Sequence, residues 1–166
     1  MVSIIFLLNS NKYLDKIEQI IDSKDISVNY FVGYGYLVNN SIKIKDMLNR
    51  EFYSYGDDGN YTPDNLLFSN NLISRISNNN ANLCISLKRD KSVLDLCSKN
   101  DLYTIIPNII ASDRPYDKVK NSVSNGSIIL FNMNKDTVLE LSTIIDYIRG
   151  KGLRIVGLSQ LLSEDL

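Results

Sequence analysis

The sequence predicts an α/β protein built on parallel strands, and three observations carry that prediction. Apolar runs rich in β-formers and amphipathic stretches alternate about seven times, with short links, which makes a parallel sheet with helical crossovers, either closed into a barrel or doubly wound. The first run, Ser3-Ile4-Ile5-Phe6-Leu7-Leu8, is continuously apolar, as a strand buried on both faces must be. No linker, low-complexity tract or internal repeat divides the 166 residues, so 1–166 reads as a single domain.

After that first strand, Asn11 to Ile21 places Leu14, Ile17, Ile20 and Ile21 on one stripe opposite Lys12, Asp15, Lys16 and Glu18, an amphipathic helix. Ile26 to Val32 is a second strand, Asn40 to Leu48 a helix and Glu51 to Tyr55 a short third strand. Thr62 and Pro63 open the next helix as N-cap and first helical residue, and it runs to about Ser77. Leu83 to Leu87 is the fourth strand, Ser92 to Cys97 a short helix and Leu102 to Ile106 the fifth strand. Ile109-Ile110 either extends that strand or starts another. Tyr116 to Val123 is helical and Gly126 to Phe131 is a strand. Val138, Leu141, Ile144, Ile145 and Ile148 then repeat at helical spacing, ending at Gly150 or Gly152. Leu153 to Val156 is the last strand, and Ser159 caps a terminal helix through Leu162.

Composition excludes several function classes. Lys and Arg number 18 against 19 Asp and Glu, a net charge of −1, so the chain lacks the positive excess of a nucleic-acid binder. It has no histidine, the commonest metal ligand and general base. Serine–histidine and cysteine–histidine hydrolases and histidine-ligated zinc enzymes are therefore excluded. Ser3–Leu8 is too short for a signal-peptide core or a membrane span, and no later apolar run is longer. Cys84 and Cys97 lack metal-ligand spacing and read as two reduced, half-buried thiols, consistent with a cytoplasmic location if the chain is complete.

In a parallel barrel the loops after the strands form the functional face. Here these are Asn9–Asn11, Gly33–Leu37, Gly56–Tyr61, Lys88–Lys91, Ala111–Pro115, Asn132–Lys135 and Gly157–Ser159. Gly33-Tyr34-Gly35-Tyr36 lacks the third glycine of a dinucleotide fingerprint and reads as a glycine turn. Asp57-Asp58-Gly59-Asn60 is the best acidic cluster, but those residue types are what a solvated turn selects. Lys88-Arg89-Asp90-Lys91 reads as a solvated loop. Of 10 tyrosines, Tyr34, Tyr36, Tyr53, Tyr55 and Tyr61 fall on or beside two strand-end loops. They either meet on a binding face, where a phenol can stack on a sugar or anchor a protein, or fill interior space.

The order of elements resembles the polysaccharide deacetylase (NodB-homology) family of carbohydrate esterases. The resemblance rests on Asn29-Tyr30-Phe31-Val32-Gly33, on Gly126 to Phe131 followed by Asn132, on Lys151-Gly152-Leu153 and Ile155-Val156, and on Ser159-Gln160-Leu161-Leu162. It implies a deformed (β/α) barrel of about seven parallel strands. The family's paired aspartates fall on Leu7 and Leu8, its two metal-binding histidines on Tyr55 and Gly59, and its late catalytic histidine on Asn132. Its base-orienting arg-pro-pro-tyr segment falls near Leu87-Lys88-Arg89-Asp90. Base, metal ligands and acid are lost together, and an attacking water needs one of them to be activated. The resemblance thus implies an inactive relative with no catalytic residues, no metal and no cofactor. Such a pseudoenzyme would be a protein-binding or scaffolding module in an envelope or sporulation setting, or else a module binding cell-wall glycan, with Tyr34, Tyr36, Tyr55, Tyr61, Asp57, Asp58 and Asn132 as binding candidates. An enzyme of unknown chemistry using Asp57, Asp58 or Asp113 stands behind both.

Overall fold

The structure, a computed structural model, describes residues 1–163. In chain order the elements are β1 (Ser3–Leu8), α1 (Leu14–Lys24), β2 (Val28–Val32), α2 (Tyr34–Asn39), α3 (Ser41–Asp46), β3 (Arg50–Ser54), α4 (Pro63–Ile76) and β4 (Leu83–Ile85). There follow α5 (Lys91–Lys99), β5 (Tyr103–Ile105), β6 (Ile109–Ala111), α6 (Pro115–Ser122), β7 (Ile128–Phe131), α7 (Lys135–Gly150) and α8 (Leu158–Ser163). The strands are hydrogen-bonded as a five-stranded sheet ordered β3-β2-β1-β7-β6 and a two-stranded pair β4-β5. The β1–β7, β6–β7 and β4–β5 pairs are all parallel, as strands separated by helical crossovers must be.

The described residues divide into two compact units. One comprises Met1–Phe6, Ser10–Asn29 and the residues from Pro107 on. In it Ser3 lies opposite Ile128 and Phe6 opposite Phe131, whose rings sit 5.9 Å apart. Helix α7 buries Thr137, Leu141, Ile144, Ile145 and Ile148, the stripe that its spacing dictates. Its first turn is closed by Asn134, whose side chain accepts the Thr137 N–H. Asn29 is wholly buried, yet both ends of its amide are used: Nδ2 donates to the Ile4 carbonyl at 2.8 Å and Oδ1 accepts the Leu158 N–H at 2.9 Å. The expected strand Leu153–Val156 is one parallel bridge, Val2 to Ile155, because Gly152 turns with φ +77° just before it and α8 begins just after. Helix α8 starts at Leu158, so Ser159 lies inside it rather than capping it.

The other unit comprises Leu7–Asn9 and Tyr30–Ile106. Tyr30 stacks on Phe52 and Phe31 packs on Tyr53, with ring centres 5.7 and 5.2 Å apart. Helix α4 opens on a reciprocal box: Thr62 Oγ1 accepts the Asn65 N–H, and Asn65 Oδ1 accepts the Thr62 N–H. Gly33-Tyr34-Gly35-Tyr36 is not a glycine turn. Gly33 is extended at φ −65° and is the N-cap of α2, which contains Gly35. The cysteines are not free thiols: Cys84 of β4 and Cys97 of α5 form a disulfide, and both are fully buried.

Candidate functional site

The site is built where β3 and β4 end. Strand β3 stops at Ser54, whose Oγ accepts the Gly56 N–H at 3.0 Å. Tyr55 still donates its N–H to the Val32 carbonyl, and the chain then reverses. Asp57 and Asn60 exchange both backbone hydrogen bonds, at 2.9 and 3.0 Å, across Asp58 (φ 50°) and Gly59 (φ 88°). Two central residues at positive φ make this a type I′ turn, which explains the Asp-Gly pair. Gly56 has φ 62°, and a Cβ there would lie 2.7 Å from the Asn60 carbonyl oxygen. Asp58 is tied back to the end of β1, since its Oδ1 accepts from Asn9 Nδ2 at 3.3 Å.

Beyond β4 the chain turns at Arg89 (φ 51°), and the Asp90 N–H donates to Ser86 Oγ at 3.0 Å. Asp90 caps α5 by accepting the Ser92 N–H at 2.9 Å and the Ser92 hydroxyl at 2.8 Å. Those two bonds hold its carboxyl below the usual carboxylate range. The two loops enclose a cleft of about 370 Å³. Tyr55, Asp58 and Asn60 line it from the first loop and Ser86, Lys88 and Asp90 from the second. Tyr55 and Gly59, the expected metal-ligand places, therefore share one cleft with the segment near Leu87–Asp90.

Tyr55 is half-buried, and its hydroxyl stands 3.0 Å from where a Cβ on Gly59 would be. The Gly59 N–H donates to the Tyr55 carbonyl at 2.8 Å, so these two positions stay adjacent, but the phenol occupies the space a second side chain would take. Burial, and then the Asp58 carboxylate, raise its pKa above the ordinary phenol value, so it stays neutral near pH 7. Leu8 is fully buried and Leu7 half-exposed. The metal site that the resemblance implies needs oxygen or nitrogen ligands. A buried leucine, a neutral phenol and a glycine do not fit it. Among the described residues no three His, Cys, Asp or Glu side chains converge on one point.

The remaining candidates separate. Tyr61 is not on a binding face: its hydroxyl donates to the Ser54 carbonyl at 2.6 Å and accepts the Ile85 N–H at 3.2 Å, and its ring packs with Leu66, Cys84 and Cys97. Tyr36 and Tyr53 are buried as well, and Tyr53 donates to Glu51. Burial hides these rings because each sits on an inward face that spacing alone did not reveal. Tyr34 is half-buried, edge-on to Phe68 at 5.5 Å. Asp57 and Asn132 are exposed. Asp113 is ion-paired with Lys118, which holds its carboxyl below the usual range. Ser86 and Val93 line the cleft but were not singled out. The signal was present, because both flank the strand-end loop Lys88–Lys91.

No family model matches the chain, and no curated protein matches it. Solved structures do. A CE4 family pseudoenzyme from Bacillus anthracis superposes with a TM-score of 0.84 at 18% identity, over 98% of this chain and 65% of that one. This chain thus spans just under two thirds of that protein's length. A mutant of the same pseudoenzyme with restored enzymatic activity matches with a TM-score of 0.84, 18% identity, and 98% and 67% coverage. PdaA from Bacillus subtilis, a family 4 carbohydrate esterase, matches with a TM-score of 0.81 at 15% identity, over 99% of this chain and 81% of that one. The fold is that of the family 4 carbohydrate esterases, as the resemblance implied.

Proposed function

We propose that this chain is a catalytically inactive deacetylase-like module that works by binding a protein partner, in an envelope or sporulation setting. One observation carries the inactive half: where the fold's relatives would hold a metal, Leu8 is hydrocarbon and Tyr55 lies over Gly59. A leucine, a phenol and a glycine at those places supply neither a metal-ligand set nor the base that would activate an attacking water. The neighbouring likeness to a CE4 pseudoenzyme supports this reading. The binding half is supported by exposed apolar side chains on three consecutive helices, Val38 of α2, Ile42 of α3, and Leu67 and Phe68 of α4. Ile42, at 77% exposure, and Leu67, at 65%, are large apolar side chains that a partner would cover.

The test has two arms. Purified protein dialysed against Zn²⁺, Co²⁺ or Ni²⁺ should retain no stoichiometric ion by elemental analysis and release no acetate from N-acetylated glycan oligomers or peptidoglycan. One tightly held ion per chain with acetate release would overturn the inactive reading. Capture of a protein from an envelope extract should be lost in Ile42→Asp and Leu67→Asp and kept in Tyr55→Ala. The second reading, a glycan module, is favoured by the open polar cleft at Tyr55, Asp58, Lys88 and Asp90. It predicts the reverse: retention on cell-wall glycan, lost in Tyr55→Ala and kept in Ile42→Asp.

A further inference from the structure

The cleft wall from Ser86 to Asp90 lies inside a loop closed by a covalent bond. Cys84, one residue before Ile85, and Cys97, in α5, are separated by 13 residues and joined as a disulfide. Every cleft-lining residue from β4 and α5, from Ile85 to Val93, lies between them. The anchoring of α5 is thin. Cys97 is the only fully buried residue of that nine-residue helix, and Val93 and Leu96 are only partly covered. The disulfide packs against Tyr61, whose hydroxyl links Ser54 of β3 to Ile85 of β4. Both cleft loops therefore converge on this one cluster.

We propose that the Cys84–Cys97 disulfide is a redox device that determines whether the cleft wall is ordered. A dithiol reductant attacks one sulfur to form a mixed disulfide, and its second thiol then displaces that cysteine. The reductant leaves as its own cyclic disulfide, and two electrons and two protons end on Cys84 and Cys97 as thiols. Because both sulfurs are fully covered, α5 must open locally before attack, and a helix with one buried residue is the element suited to do so. With the bond gone, α5 and the Ser86–Asp90 loop lose their tether, while the ladders of β1, β6 and β7 keep theirs. The cleft then stands in an oxidising compartment and slackens in a reducing one, which replaces the expectation of two reduced cytoplasmic thiols.

Hydrogen exchange on the whole chain, with and without dithiothreitol and with thiol titration of each sample, tests this. Protein purified without reductant should show no free thiol, and two after reduction. Amides of residues 86–99 should then exchange at least ~10-fold faster, with those of β7 and α7 changed by less than ~2-fold. The double variant Cys84→Ala with Cys97→Ala should show the fast exchange under both conditions. Free thiols in the protein purified without reductant, a native disulfide that resists the dithiol, unchanged protection after full reduction, or equal loss of protection in β7 and α7 would each overturn the proposal.

Discussion

Asn79 is bonded to the backbone of Phe52 through both ends of its amide: Nδ2 donates to the Phe52 carbonyl at 2.8 Å, and Oδ1 accepts the Phe52 N–H at 2.9 Å. Strand β3 ends the five-stranded sheet, so this side chain does for Phe52 what a neighbouring strand would do. Asn79→Ala strips both partners from a part-buried backbone and should cost about 1–3 kcal/mol. Asn79→Asp keeps the acceptor but sets a carboxylate oxygen against the Phe52 carbonyl, so it should cost at least as much. Urea unfolding measures both, and an unchanged midpoint for the alanine variant would show the bonds to be idle.

Tyr61→Phe removes the hydroxyl that joins Ser54 to Ile85 and leaves a buried carbonyl and a buried N–H unpartnered. A loss of about 1–3 kcal/mol is expected near pH 7, read by equilibrium unfolding.

Alkaline pH should weaken the fold. Burial raises the pKa of the Tyr53, Tyr55 and Tyr61 phenols above the ordinary value, aided by Glu51 at Tyr53 and Asp58 at Tyr55. Below about pH 10 folded and unfolded states both keep these protons, and they add no pH dependence. Above it the unfolded chain sheds protons that the folded chain retains, so stability falls as pH rises. Unfolding curves between pH 8 and 11 (roughly the range of free tyrosine titration) should show that decline, with a shallower slope in Tyr61→Phe. A flat profile would contradict the assignment.

Leu8→Asp should destabilise far more than Leu7→Asp. Leu8 is fully buried, and a carboxyl there must be desolvated or protonated, at a cost of about 2–5 kcal/mol. Leu7 is half-exposed and can turn a carboxylate to water. Equal melting temperatures for the two variants would mean that water reaches Leu8.

Gly56→Ala and Gly126→Ala separate two reasons for glycine. Both positions have positive φ, but a Cβ on Gly56 meets backbone at 2.7 Å whereas one on Gly126 meets nothing within 4 Å. Gly126→Ala should cost about 1 kcal/mol for the dihedral alone, and Gly56→Ala clearly more. Thermal unfolding of the pair decides.

Elements with a chemical signature were readable from the sequence. Thr62-Pro63 fixed the start of α4, the unbroken run Ser3–Leu8 fixed β1, and five apolar positions fixed α7 to within a few residues. Helix α2 was hidden because Gly33 and Gly35 imitate a turn, although neither has positive φ. The Cys84–Cys97 pairing was hidden because it depends on how α5 docks on β4, which no spacing rule encodes. At the site, the convergence of the Tyr55–Gly59 and Leu87–Asp90 segments followed from strand order. The burial of Tyr36 and Tyr61 did not, because a phenol is equally at home inside when backbone partners such as Ser54 and Ile85 await it. Asn79 belongs to no sequence motif, and its role as an edge-strand partner depends on where the chain after α4 docks.

The amide of Asn29 has a consequence for the order of assembly. Its donor side is satisfied by Ile4, 25 residues earlier, but its acceptor oxygen waits for the N–H of Leu158, 129 residues later. Closing so long a loop is slow and uphill until the surface that receives it exists. During synthesis β1 and β2 emerge early with that oxygen still facing water. Only when Leu158 has left the ribosome can the amide be sealed inside, so closure of this part of the core waits on α8.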